Sequence, residues 1–120
     1  MKAGPILVVD DDPAILSVVA LILEMEGYPV ATASNGIEAL AAVQRLHPSL
    51  VVLDLGMPLL DGWGFARALK AEGIHIPLIV MTATTNPRLR AEEVGASAYV
   101  SKPFEMSALL SAVRNSRLAS

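Results

Sequence analysis

The sequence has no cysteine, which excludes both disulfides and thiolate metal sites. It has no long basic run either, and its formal net charge of −3 argues against binding nucleic acid through a basic surface. Its longest apolar-rich run, Ala14–Leu23, is too short to span a bilayer and follows an acidic cluster rather than a signal-peptide pattern. These absences predict a protein without direct nucleic-acid contact or membrane insertion, and a cytoplasmic location fits them.

What the chain does contain is a large apolar fraction. Its 120 residues are 53% hydrophobic and 18% charged, with a mean hydropathy of +0.53. That length and composition predict one globular domain, residues 1–120, with a single sizeable core. We find no internal repeat, low-complexity tract or linker in the sequence.

Short strand-like runs alternate five times with helical patterns. Several of these runs are continuously apolar, as in strands that are buried on both faces. The predicted strands are Ile6–Asp10, Val30–Ala33, Leu50–Leu53, Leu78–Thr82 and Ala98–Ser101. The predicted helices are Pro13–Glu26, Asn35–Leu46, Asp61–Glu72, Pro87–Val94 and Glu105 to about Arg114, followed by a polar tail. Five such units predict an α/β, flavodoxin-like, doubly wound parallel sheet of order 2-1-3-4-5.

Three consecutive carboxylates, Asp10–Asp12, stand at the end of the first strand. Like charges held close together are unfavourable unless a positive charge lies among them. In a doubly wound sheet the ligand binds beyond the carboxyl ends of the strands, where strands 1 and 3 are neighbours. The same edge is predicted to hold Asp54 after strand 3, Thr82 at the end of strand 4 and Lys102 after strand 5.

This set of side chains indicates phosphoryl chemistry. Acidic oxygens without a cage-like spacing favour Mg²⁺ that keeps several waters over Ca²⁺. The acidic loop after strand 1 would repel a nucleotide phosphate, which argues against a phosphate cradle. A carboxylate flanked by Mg²⁺, the Thr82 hydroxyl and the Lys102 ammonium predicts a phosphoryl site with an aspartate nucleophile.

Four stretches, ILVVDDDP, VVLDLGMPLLDGW, LIVMTA and GASAYVSKPF, resemble the receiver domain of bacterial two-component response regulators. The resemblance covers essentially the whole chain. It implies that Asp54 accepts a phosphoryl group from a sensor histidine kinase, a histidine phosphotransfer domain or a small phosphodonor. It also implies that Asp11 and Asp54 bind Mg²⁺ directly, Asp10 acts largely through water, and the Gly56 backbone carbonyl supplies a further oxygen.

The resemblance also implies a switch. Lys102 would pair with the phosphoryl oxygens, and the Lys102–Pro103 peptide bond would be cis. Thr82 would move toward the phosphoryl group while Tyr99 rotates inward, which changes the face formed by helix 4, strand 5 and helix 5. That face would control an unidentified downstream protein. The resemblance is also compatible with a homodimer. Such a domain phosphorylates and slowly dephosphorylates itself, and is not an enzyme acting on an external substrate.

Two helices depart from the usual pattern. Helix 4 is predicted to be short because Pro87 limits where it can begin. Helix 1 has almost no polar face, so some of its aliphatic side chains must be exposed. Since helix 1 is where a kinase or phosphotransfer domain docks in the family, one hypothesis is a partner surface made of Ile15, Val18 and Ile22. The competing interpretation is that exposed small aliphatic side chains are ordinary.

Two alternative functions remain at this point. One is a receiver-like interaction module that never takes phosphate, although all five site positions are intact. The other is an aspartyl-phosphate phosphatase of the haloacid dehalogenase type, for which Asp10 and Asp12 offer a superficial match. Against it, Ala14 stands where Thr or Val is expected, and the chain has no room for a cap domain. Because the pattern ends just after helix 5, we expect no output domain in this sequence. Both a stand-alone receiver and a receiver cut from a longer protein fit that expectation.

Overall fold

The computed structural model describes residues 4–57, 59–103 and 105–118. Two residues of the quoted motifs, Pro58 and Phe104, lie outside these ranges. The strands are β1 (Ile6–Val9), β2 (Val30–Ala33), β3 (Leu50–Asp54), β4 (Leu78–Thr82) and β5 (Ala98–Ser101). The helices are α1 (Pro13–Met25), α2 (Gly36–Leu46), α3 (Gly62–Ala71), α4 (Pro87–Val94) and α5 (Met106–Leu118).

The five strands form one parallel sheet in the order β2-β1-β3-β4-β5, which confirms the predicted fold class. Its register places Val9 opposite Leu53 on the neighbouring strand β3. Farther along the sheet, Asp54 pairs with Met81, and Thr82 pairs with Ser101. The carboxyl ends of β1, β3, β4 and β5 therefore meet at one edge of the sheet.

The core lies on both faces of the sheet, because successive side chains of a strand point in opposite directions. One face packs against α1 and α5, with Val8 and Leu109 in the same buried cluster. The other face packs against α2, α3 and α4, with Val9 and Phe65 in the second cluster. Every residue of β1 and β3 is buried, which explains why these two strands read as uninterrupted apolar runs.

Side-chain caps set the beginnings of the helices near the site. The carboxylate of Asp12 accepts the Ala14 backbone N–H and caps α1. Asp61 caps α3 in the same way by accepting the backbone N–H of Gly64 at 2.8 Å. α4 has 8 residues, so the prediction of a short fourth helix is confirmed. It ends at Val94 and is capped by Gly95, which has a positive φ of 71°.

The prediction that helix 5 ends near Arg114 was wrong. The helix continues to Leu118. Two residues beyond the predicted end, Ser116 is buried, and its hydroxyl lies 3.1 Å from that of Ser97. This buried contact holds the last turn against the end of the sheet, and the local sequence gave no sign of it because both partners are short polar residues.

The outer face of α1 is apolar, but its composition differs from the hypothesis. Ile22 is only 8% exposed and lies in the core, so its assignment to a partner surface was wrong. Ile15 is partly buried against the same core. The well-exposed residues are Val18, Leu21 and Met25, which follow one another at helical spacing on the side away from the sheet. Among the helices that the structure describes, α1 included, none combines the length and apolarity needed to cross a membrane.

Candidate functional site

Three carboxylates meet at the carboxyl edge of the sheet. Asp10 directly follows β1, Asp54 ends β3, and these two strands are hydrogen-bonded neighbours. One carboxylate oxygen each from Asp10, Asp11 and Asp54 lies within 4.8 Å of the other two. Asp10 and Asp54 are buried, whereas Asp11 is exposed. The acidic cluster is therefore closed on the protein side and open to solvent at Asp11.

The positive charge among these carboxylates is Lys102. Its Nζ donates a hydrogen bond to Asp10 Oδ2 at 2.8 Å and lies 3.3 Å from Asp54 Oδ1. The Lys102 backbone N–H donates to the Thr82 carbonyl oxygen at 2.9 Å, which ties the loop after β5 to the end of β4. The Lys102–Pro103 peptide bond is cis, as predicted. Lys102 therefore bridges the two buried carboxylates in this structure.

The charges of the site shift two pKa values. Burial raises the pKa of Asp54, and the neighbouring charge of Asp10 adds to this rise, while Lys102 opposes it. Burial also lowers the pKa of Lys102, but the hydrogen bond to Asp10 and the charge of Asp54 outweigh it and leave that pKa raised. Asp54 is thus less easily ionised than an ordinary aspartate, and Lys102 is held firmly in its charged form.

Asp10 is fixed through both of its oxygens. Oδ1 accepts the backbone N–H of Asp12 at 2.9 Å, and Oδ2 accepts from Lys102. Asp12 itself is exposed and caps α1, and it does not join the cluster of three carboxylates. A dehalogenase-type site would need the carboxylates of both Asp10 and Asp12 in the pocket, so this geometry argues against that alternative.

Thr82 is buried at the end of β4, and its hydroxyl has a partner that the sequence did not reveal. Thr82 Oγ1 accepts the backbone N–H of Thr84 at 3.2 Å and donates to Thr84 Oγ1 at 3.3 Å. The T-A-T spacing is the only signal that could have indicated it, since hydroxyl side chains commonly bond to the backbone two residues on. In this structure the Thr82 hydroxyl is held by its own loop.

Two further predicted residues lie near the edge of the site. Tyr99 is 44% exposed in β5 and lines a shallow groove of about 300 Å³ with Arg88 of α4. Its inward rotation stays a prediction. Gly56 follows β3 and is exposed, and the metal-binding role of its carbonyl also stays a prediction.

The side chains present fit a hard divalent cation. All three members of the acidic cluster offer carboxylate oxygen, which Mg²⁺ prefers over nitrogen or sulfur. Because Asp11 is exposed, the cluster has an open side on which a cation could keep waters and accept oxygens from an incoming group. This donor set is the one predicted from the sequence, apart from the untested carbonyl of Gly56.

Comparison with known proteins gives a consistent result. The family model described as "Response regulator receiver domain" matches residues 6–114. The chain is 45% identical over 112 residues to the probable transcriptional regulator ycf27 of Cyanophora paradoxa, covering 92% of this chain and 46% of that protein. It is 40% identical over 111 residues to the DNA-binding response regulator MtrA of Mycolicibacterium smegmatis, covering 91% and 48%.

Solved structures agree with this match. The receiver domain of NtrX from Brucella abortus superposes with a TM-score of 0.89 at 32% identity, covering 96% of this chain and 99% of that one. The chemotaxis response regulator CheY4 of Vibrio cholerae gives a TM-score of 0.87 at 30% identity, covering 96% and 99%.

The chain spans about half the length of the curated relatives that it matches. One of these relatives binds DNA by its printed name. The relatives therefore give no support to the prediction that this protein makes no direct contact with nucleic acid.

Proposed function

The chain belongs to the response regulator receiver domain family of two-component systems, and we propose that residues 1–120 form one receiver unit in which Asp54 is the phosphoacceptor. The observation that carries this proposal is the position of Lys102, which bridges Asp10 and Asp54 in a cluster of three carboxylates. An ordinary solvated surface would not bury two carboxylates around one ammonium. Such an arrangement is expected at a site that must hold added negative charge.

The proposed reaction is phosphoryl transfer onto Asp54. A carboxylate oxygen of Asp54 forms a bond to phosphorus, and the bond from phosphorus to the imidazole nitrogen of a kinase or phosphotransfer domain breaks. The leaving imidazole keeps the electron pair of that bond and takes up a proton. The product is an aspartyl phosphate on this chain, so no external substrate is turned over.

The chain's own residues would position and neutralise the new group. Lys102 is already 3.3 Å from Asp54 Oδ1 and needs only a short movement to pair with a phosphoryl oxygen. The Thr82 hydroxyl would leave Thr84 and donate to another phosphoryl oxygen. Receiver domains bind Mg²⁺ at an acidic pocket. Here Asp10, Asp11, Asp54 and the Gly56 carbonyl would hold it, and it would neutralise charge on the phosphoryl oxygens.

The proposed output is a shift between two conformations. When the Thr82 hydroxyl leaves Thr84, the loop from Ala83 to the start of α4 loses two of its hydrogen bonds. Tyr99, now exposed beside α4, would turn inward toward the space that Thr82 leaves. Phosphorylation would thus favour a second arrangement of the face formed by α4, β5 and α5. That face would control a downstream protein or pair with a second copy of this chain.

The proposed input partner is a sensor histidine kinase or a histidine phosphotransfer domain, and we place this exchange in the cytoplasm. The exposed aliphatic residues of α1, Val18 with Leu21 and Met25, are the surface that we assign to this partner. They lie on the outer side of the helix that begins directly after the acidic cluster, at Pro13.

Intact-mass spectrometry after incubation with acetyl phosphate tests the phosphoacceptor. We expect the wild type to gain one phosphoryl group in the presence of Mg²⁺ and none without it. Asp54→Asn should gain none. The matched control is Asp12→Asn, which removes one carboxylate of the same DDD run but keeps a side chain able to cap α1. This control should be phosphorylated like the wild type.

The same experiment separates this function from the remaining alternative. If the wild type gains no phosphoryl group although Mg²⁺ binding is measured separately, the chain is a receiver-like interaction module that works without phosphate. If Asp54→Asn is still phosphorylated, the acceptor is another residue and the assignment to Asp54 is wrong.

A further inference from the structure

A groove between α3 and α4 lies apart from the acidic site. It has a volume of about 730 Å³, within the range of small-molecule pockets. Its apolar floor includes Ala66, Leu69, Ile74, Ile76 and Val94. The indole of Trp63 lines the groove as well, and its Nε1 donates across from α3 to the carboxylate of Glu93 on α4 at 3.1 Å. The groove therefore offers an apolar surface and an aromatic ring bridging two helices.

The two walls of the groove differ in charge balance. The acidic wall on α4 is already neutralised, because Arg88 pairs with Glu92 at 3.5 Å and Arg90 pairs with Glu93 at 3.2 Å. The basic wall on α3 is not, since Arg67 and Lys70 make no ion pair with any residue that the structure describes.

The basic wall also matches the geometry of α3. Arg67 and Lys70 stand three residues apart, so both lie on the same face of the helix. Both are exposed at the mouth of the groove, above the apolar floor. An anion held at this mouth would meet the guanidinium of Arg67 and the ammonium of Lys70 while an attached apolar body lay against the floor.

We propose that this groove binds a small organic anion with an apolar body, of the class of medium-chain or aryl-substituted carboxylates. The carboxylate pairs with Arg67 and Lys70, and the apolar body lies against the floor and the Trp63 ring. The exposed His75 also lines the groove. The site is separate from Asp54, and one of its walls, α4, belongs to the proposed output face.

The single tryptophan of the chain makes the test direct, because all tryptophan fluorescence comes from Trp63 in the groove. The probe is octanoate, which does not absorb in the tryptophan range, and its neutral counterpart is octanamide. We expect octanoate to change the emission of Trp63 saturably, with a stoichiometry near one by calorimetry. Octanamide should bind at least about tenfold more weakly, because it lacks the charge-assisted contacts.

Charge variants identify the anion site. The double variant Arg67→Gln, Lys70→Gln should bind octanoate at least about tenfold more weakly than the wild type. The matched control is Arg45→Gln, Arg114→Gln, which removes the same charge from exposed positions on α2 and α5. It should bind like the wild type. Arg67→Lys with Lys70 kept retains both charges and should restore most of the affinity, which excludes a folding defect as the cause.

Three results would overturn the proposal. The first is the absence of saturable binding by octanoate, and the second is equal affinity for octanoate and octanamide. The third is an equal loss of octanoate affinity in the Arg67→Gln, Lys70→Gln variant and in its control variant. The binding measurement uses neither Mg²⁺ nor a phosphodonor, and Asp54→Asn should bind octanoate like the wild type. Its outcome is therefore independent of whether Asp54 accepts phosphate.

Discussion

Replacing Lys102 by Met should destabilise the Mg²⁺-free protein, because it leaves two buried carboxylates without their cation. Lys102 Nζ lies 2.8 Å from Asp10 Oδ2 and 3.3 Å from Asp54 Oδ1. The side chains of Asp10 and Asp54 are 1% and 11% exposed, so water solvates these two carboxylates too little to replace the lost ammonium. Methionine keeps much of the length and apolar volume of the lysine stem, so the change is mainly one of charge.

The size of the effect follows from the geometry. At an effective dielectric constant of about 20, each of the two pairs contributes a gross attraction of roughly 5–6 kcal/mol. Desolvation of the ammonium offsets much of this gain, and removing one partner of a buried pair typically costs about 3–5 kcal/mol. Because the Lys102 side chain is 18% exposed, we expect the lower end, about 3 kcal/mol. A domain of this length has roughly 6–18 kcal/mol of stability, so the variant should still fold.

Urea unfolding and thermal melting at pH 7 in a chelator measure this loss, with a melting point expected to fall by roughly 10–15 °C. Added Mg²⁺ should recover most of it by supplying positive charge to the same carboxylates. Lys70→Met is the matched control, since Lys70 is exposed, and it should change stability by no more than about 0.5 kcal/mol.

The pH dependence of the deficit fixes its cause. The pKa of Asp54 is raised by burial and by Asp10, with Lys102 as the opposing influence, so removing Lys102 raises it further. A carboxyl whose pKa is higher in the folded state binds a proton more readily when folded, and its ionised form is the destabilising one. The deficit of Lys102→Met should therefore shrink as the pH is lowered below 7. If the deficit stays the same as the pH is lowered, or if Lys102→Met is as stable as Lys70→Met, Lys102 does not compensate the buried carboxylates.

Three further outcomes follow from the same structure. Asp54→Asn should stabilise the Mg²⁺-free protein at pH 7 by about 1 kcal/mol, because it removes the charge of a buried carboxyl group whose pKa is raised. This gain should vanish at lower pH, where Asp54 of the wild type takes up a proton. Urea unfolding measures the change, and a loss of stability would contradict the reasoning. Ile22→Ala should cost about 2–4 kcal/mol in the same assay, whereas Val18→Ala should cost less than about 1 kcal/mol. Similar losses of stability in the two variants would contradict the finding that Ile22 is buried and Val18 is exposed. Val18→Lys should fold normally and accept phosphate from acetyl phosphate like the wild type, yet receive it at least about tenfold more slowly from its kinase; unchanged transfer would remove α1 as the docking surface.

Much of the fold could be predicted because its signals are local or follow a rule of topology. The runs that became β1 and β3 are continuously apolar, and strands of that kind are buried on both faces of a parallel sheet. In the structure Asp12, Asp61 and Gly95 cap helix ends in the way that is ordinary for their residue types. The end of α5 could not be predicted, because it depends on a contact between Ser97 and Ser116 that are far apart in the chain.

The site divides in the same way. The meeting of Asp10 and Asp54 at one edge follows from strand order, so it could be inferred once the sheet was known. The sequence could not show which groups Lys102 contacts before phosphorylation, or that Thr84 holds the Thr82 hydroxyl. Nor could periodicity decide between Val18 and Ile22 on a helix that is apolar on nearly every side. Such a helix gives the hydrophobic pattern no direction, and only packing against the sheet selects the buried face.

The charge balance of the site accounts for two of the three acids that follow the first strand, Asp10 and Asp11, whereas Asp12 caps α1. Three carboxylates and one ammonium leave a formal charge of about −2 at a site where Asp10 and Asp54 are buried. A divalent cation brings that total to about zero, whereas a phosphoryl group replaces one negative charge with roughly two. Without the cation the phosphorylated site would carry about −3, so transfer to Asp54 should be strongly unfavourable. Lys102 holds the carboxylates of Asp10 and Asp54 together in this structure, but on the proposed function its single charge would not be sufficient for the phosphorylated site. On the proposed function, the acids that are costly to bury in the site are therefore also the groups that would make phosphorylation depend on the metal.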